Sequence, residues 1–125
     1  MLERRAFIRL PEKLTAAYKL SEEQPGGDDP VHSLTKDVSG GGVRIATAIQ
    51  FALQTVLEVE VKFPDRSEPV KFKARVAWSR PLVQTDGFDH TRRYETGLQF
   101  MEISREDQKY VNAHAALNSP RDRQA

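Results

Sequence analysis

The sequence predicts a mainly β fold: a six-stranded antiparallel β-barrel, split-barrel-like, with a C-terminal α-helix and an extended N-terminal arm. Three observations carry this expectation. Six segments alternate apolar and polar residues with a period of two, which turns one row of side chains towards a core. Stretches rich in Gly, Pro, Asp and Ser separate them, as antiparallel connections require. After Ser104 the period becomes helical. Closing such strands into a barrel also hides edges that an open sheet would expose. The chain has 125 residues, 38% of them hydrophobic and 30% charged, enough for one domain with its own core.

Residues 1–11 form a basic extended arm ending at Pro11. Leu14, Ala16, Tyr18 and Leu20 alternate with Thr15, Ala17 and Lys19 as a first half-buried strand, and the acidic, turn-rich stretch Ser21 to Pro30 follows as an exposed loop. Val31 to Val38 is a second strand, broken at Gly40, Gly41 and Gly42, and Val43 to Ala48 a third. Leu57, Val59, Val61 and Phe63 form the inward row of the fourth, and Val70, Phe72, Ala74, Val76 and Trp78 that of the fifth. A polar loop over 84–92 leads to the last strand, with Tyr94, Thr96, Leu98 and Phe100 in phase. Ser104 to Asp107 resembles a capping box, with Asp in place of the usual Glu or Gln. Tyr110, Val111, His114 and Leu117 then recur at helical spacing, so a helix over 104–118 should lie against the barrel, leaving 119–125 as a disordered tail.

Composition excludes several classes of function. There is no Cys, hence no disulfide scaffold, thiolate chemistry or Cys-based zinc site. His32, His90 and His114 lack metal-ligand spacing, the glycine triplet lacks the Lys-Ser/Thr pair of a phosphate-binding loop, and no nucleophile stands with a base, so no enzyme is expected. The chain has no apolar run long enough to span or insert in a membrane and no signal-peptide stretch, which points to a cytoplasmic address. Nucleic acid is not an expected partner, because 19 Lys and Arg face 18 Asp and Glu, a net charge of +1. Arg nevertheless outnumbers Lys by twelve to seven, with three Arg in the first nine residues, and its planar fork of donors suits phosphates and guanine edges. A small anionic ligand at a local site fits this balance.

Two short features carry recognition chemistry. In the arm, Arg5 and Arg9 are four residues apart, so an extended backbone turns both to one side. At the end of the second strand, Asp37-Val-Ser39-Gly-Gly41-Gly42 offers a carboxylate, a hydroxyl and backbone N–H groups unshielded by Cβ atoms. Taken singly, the first fits a solvated basic tail and the second an Asx-capped glycine turn.

Together and in this order they resemble the two-part signature of the PilZ domain family, RxxxR followed about thirty residues later by (D/N)xSxxG. Arg5 and Arg9 match the first part; Asp37, Ser39 and Gly42 match the second. Ala77-Trp78-Ser79-Arg80, the run Glu95 to Phe100 with its G-x-x-F, and the terminal helix are similar to the family's later elements, so the resemblance covers most of the chain as a single domain over 1–118. It implies a non-catalytic receptor with no cofactor, whose ligand is cyclic di-GMP. Arg4, just before RxxxR, is the position where the resemblance ties Arg to an intercalated pair of ligands. The arm over 1–11 would grip the ligand, order around it and relay the change to an unidentified downstream protein. Gly41 and Gly42 would allow close approach, and Trp78, whose phase with Phe72 and Val76 points to the core, would alternatively sit at the barrel end and stack on guanine. Arg44 and Arg80 fit a rim or an ordinary surface equally well. The competing reading is an interaction adaptor of the same fold, concerned with motility or pili, that binds no nucleotide.

Overall fold

The computed structural model describes residues 9–21, 29–82 and 94–118. In chain order they form β1 (Arg9–Pro11), β2 (Thr15–Leu20), β3 (Val31–Ser39), β4 (Gly42–Thr47), β5 (Val56–Val61), β6 (Val70–Pro81), β7 (Tyr94–Glu102) and α1 (Arg105–Asn118). The strands β3, β2, β5, β6, β7 and β4 follow one another around the sheet, and pairing of β3 with β4 closes it. Every pairing is antiparallel, so the six-stranded barrel read from the alternation is present.

One strand was not anticipated. The end of the arm forms β1, which lies outside the ring and pairs with β3, Arg9 opposite Ser39 and Pro11 opposite Asp37. Pro11 is tolerated there because an outer strand need not donate at every position. The chain breaks between β1 and β2 because Thr35 of β3 intervenes. Its hydroxyl donates to the Glu12 carbonyl at 2.6 Å and accepts from the Leu14 N–H at 2.8 Å. Polar side chains such as Ser33 and Thr35 are therefore buried on β3, each hydrogen-bonded to backbone.

The core follows the predicted rows. Leu57, Val59, Val61 and Phe63 are buried, as are Val70, Phe72, Ala74 and Val76. Leu20 departs from its row and is exposed at the end of β2. Trp78 departs too. The register between β6 and β7 shifts between Val76 and Trp78, where Val76 opposes Leu98 but Trp78 opposes Gly97. That bulge inserts Ala77 as an extra residue and turns Trp78 onto the outer face of the barrel wall.

Helix α1 begins with the Ser104 hydroxyl accepting from the Asp107 N–H at 3.0 Å. Asp107 does not reach back as a Glu would; it pairs with Arg66 at 3.1 Å. Val111 and Ala115 are the buried positions. Tyr110 and His114 stand edge-on to Phe63, with centroids 5.2 and 4.9 Å away. The Tyr110 hydroxyl donates to Asp65, and burial, reinforced by that carboxylate, pushes its pKa up to about 12. Leu117, which the spacing assigned to the packed face, is exposed, because six residues on from Val111 at about 100° each place it well round the helix.

Phe63→Ala should therefore destabilise the fold by about 3–5 kcal/mol in urea unfolding, since it empties the space beneath both rings. Leu117→Ala should stay within about 0.5 kcal/mol of the wild type. A comparable loss in both variants would contradict the observed face of α1.

Candidate ligand-binding site

The two-residue turn Gly40-Gly41 fixes the β3–β4 hairpin register, with Ser39 opposite Gly42, Val38 opposite Val43 and Asp37 opposite Arg44. Across the next ladder Arg44 faces Gly97, and Gly97 faces Trp78. Asp37, Arg44, Gly97 and Trp78 thus form one cross-strand row on the outer face, opposite in phase to the core residues Val38, Val43, Leu98 and Val76. The neighbouring row on that face runs through Arg9, Ser39, Gly42 and Gln99.

These rows line an open cleft of about 240 Å³ in which Arg9, Asp37, Ser39, Gly41, Gly42, Arg44, Trp78 and Gln99 meet. Its floor depends on two glycines. A Cβ on Gly42 would collide with the Leu98 carbonyl of β7, and one on Gly97 with the Trp78 indole. Ser39 Oγ accepts from the Gly41 N–H at 3.1 Å and donates to the Gly42 carbonyl at 3.3 Å, which holds the glycine turn in place beside the cleft.

The electrostatics centre on two buried carboxylates. Arg44 holds Asp37 at 2.7 Å through one guanidinium nitrogen and Glu95 at 3.3 Å through the other. Arg9 stands 4.0 Å from Asp37; Lys36 at 3.8 Å and Arg80 at 3.3 Å share Glu95. Among the described residues, four cations therefore surround two anions, an excess suited to an anionic ligand. Burial pushes the Asp37 carboxyl above its ordinary pKa; Arg44 and Arg9 oppose that rise, and Glu95 adds to it. Buried Nε of Arg44 has no hydrogen-bond partner among the described residues.

The structure brings Arg9, Asp37, Ser39, Gly41, Gly42 and Trp78 to one cleft, whereas Arg4 and Arg5 lie outside the described residues. Trp78 reaches it on the barrel wall, not at the barrel end. Sequence reasoning left Arg44 unassigned, although the two-residue turn already implied the Asp37–Arg44 pairing. It also passed over Glu95 and Gln99, which lie on the strand face opposite the apolar row. Among the described residues no helix is long and apolar enough to cross a membrane.

Residues 3–116 match the family model described as PilZ domain. No curated protein matches the chain. Among solved structures it is similar to a Bacillus subtilis inhibitor of motility (MotI/DgrA), with TM-score 0.72 and 17% identity over 91% of this chain and 50% of that one. The chain thus spans about half the length of that neighbour. It is also similar to the PilZ domain of YcgR from Escherichia coli, described with c-di-GMP, at TM-score 0.68 and 14% identity, covering 98% of this chain and 95% of that one. A third neighbour is a Xanthomonas campestris protein described as a tetrameric PilZ domain self-assembled through a helical bundle. There the TM-score is 0.63 and the identity 12%, over 96% of this chain and 92% of that one.

The raised pKa of Asp37 makes a stability prediction. A carboxyl that holds its proton more tightly in the fold than in the unfolded chain contributes no penalty below its unfolded pKa of 3.8, and the fold loses stability as rising pH ionises it. Asp37→Asn, which mimics the protonated group, should thus match or exceed the wild-type melting temperature at neutral pH. The difference should shrink as pH falls towards 3.8. A markedly lower melting temperature for Asp37→Asn at neutral pH would show that the ionised carboxylate stabilises the unliganded fold.

Proposed function

The chain belongs to the PilZ domain family, and from that premise we propose that it is a non-catalytic cytoplasmic receptor for cyclic di-GMP. The observation that carries the reading is the single cleft in which Arg9, Asp37, Ser39, the glycine turn and Trp78 converge. The chemistry of each suits this ligand. Asp37 accepts from the guanine N1–H and exocyclic amine, a donor pair adenine does not offer. Arg9, with Arg5 of the arm, meets phosphate or the guanine O6/N7 edge. Ser39 supplies a hydroxyl, Gly41 and Gly42 let the ligand approach the backbone, and Trp78 offers a ring for stacking. The cationic excess of the cleft matches two phosphodiester charges.

Binding orders the arm, and the domain relays this to a downstream protein. Two contacts support that route by tying α1 to both ligand-gripping elements. Gln108 Nε2 donates to the Gly40 carbonyl at 2.8 Å, and His114 Nε2 lies 2.7 Å from a carboxylate oxygen of Glu12, next to β1. Arg4 completes the site for an intercalated pair of ligands. Close packing of their phosphates requires an additional cation.

Isothermal titration with cyclic di-GMP, cyclic di-AMP and GTP tests the reading. Cyclic di-GMP should bind selectively, with two molecules per chain, falling to one in Arg4→Leu. A charge-assisted hydrogen bond contributes about 1.5–3 kcal/mol, so Arg9→Ala should weaken binding roughly ten- to hundredfold. No binding of any of the three would favour the nucleotide-free adaptor, and a saturated wild-type ratio of one would remove the role given to Arg4.

A further inference from the structure

Trp78 is the only tryptophan of the chain, and its indole is partly covered. Gly97 of β7 presses against it around Nε1 and Cε2, closely enough that a Cβ there would overlap the ring. The Arg80 guanidinium lies over the ring, 4.5 Å from its centroid. Arg80 stays there with a second tether, its Nε donating to Glu95 Oε1 at 3.3 Å. The Arg80 guanidinium thus occupies one face of the indole, and a flat base can stack on that face only when Arg80 moves away.

Glu95 is well placed to control that step. It is buried directly opposite Arg80 across the β6–β7 ladder. Its other oxygen engages Arg44 at 3.3 Å and Lys36 at 3.8 Å. One carboxylate thus occupies three cations that line or border the cleft, competing with any anionic ligand for each of them. Arg80 itself has a side chain 60% exposed, so it can swing into solvent without uncovering core.

We propose that Arg80 is a displaceable cap on the Trp78 ring, held closed by Glu95, and that Glu95 thereby sets the ligand concentration at which the cleft opens. This rests on the nucleotide reading above only for what displaces the cap. In the closed state the guanidinium satisfies the ring face and the carboxylate. In the open state a base takes the ring face, and the released guanidinium is free to meet a phosphate. The cation–ring contact and the ion pair, exposed on its Arg80 side, are each individually weak, which lets a ligand reverse them.

The sole indole makes the cap measurable without ligand. Tryptophan emission and acrylamide quenching should be recorded for the unliganded wild type, Arg80→Ala and Glu95→Gln, with circular dichroism as the check on folding. Both variants should shift the emission to the red and raise the quenching constant. Arg80 is exposed enough for its variant to fold even if Glu95→Gln does not. Cyclic di-GMP should then bind Glu95→Gln roughly two- to fivefold more tightly than the wild type, the equivalent of the weak Arg80–Glu95 ion pair released. An unchanged quenching constant in folded Arg80→Ala overturns the cap and leaves the nucleotide reading to the wild-type titration. Raised quenching with equal or weaker binding to folded Glu95→Gln overturns the gating role of Glu95. Raised quenching with no cyclic di-GMP binding to any form overturns the nucleotide reading, and with it the cap's part in binding.

Discussion

Asp37 lies buried in the barrel wall with Arg44 held against it at 2.7 Å, and the architecture of the cleft depends on that contact. A buried carboxylate must find a cation or lose its charge. Here the cation comes from the residue directly opposite, because the Gly40-Gly41 turn sets Asp37 against Arg44. Arg44 extends the arrangement to Glu95, and Glu95 to Lys36 and Arg80, so the outer faces of β3, β4, β7 and β6 are joined by one chain of charges. Buried ion pairs of this kind contribute little net stability, since desolvation offsets much of the attraction. The raised pKa of Asp37 shows the balance falling against its ionised form. Such a carboxylate gains from a ligand that brings its own donors.

Most of the barrel was legible in the sequence because its inward rows are apolar and uninterrupted, as with Leu57 to Val61 on β5 and Val70 to Val76 on β6. Legibility failed where a local device breaks the period. The extra residue at Ala77 reverses the phase of Trp78, and no alternation pattern announces a bulge before the pairing partner is known. The short β1 was hidden because only Leu10 of its three residues is buried. In the site, the Arg and glycine motifs were readable as types and spacings, whereas Glu95 looked like an outward polar residue of β7. Its burial comes from three cations on other strands or positions remote in sequence.

The cleft and helix α1 share a mechanical boundary. The glycine turn that borders the cleft accepts a hydrogen bond from Gln108, and the segment after β1 meets His114. The two contacts leave α1 on different sides, since Gln108 precedes His114 by six residues, about 120° round the helix, and only His114, with Tyr110, rests on Phe63. The charged residues of the cleft lie on the outer wall and the apolar core on the inner rows, so the two occupy opposite faces of the sheet.

The most direct test of this account is the map of backbone amide and indole N–H shifts in two-dimensional NMR as cyclic di-GMP is added. The account predicts the largest changes at Arg9, Ser39, Gly41, Gly42, Arg44, Gly97 and the Trp78 indole, with smaller ones at Gln108 and His114 and almost none along the Val59 and Phe72 rows. Changes centred elsewhere on the barrel, or none at saturating ligand, would contradict it.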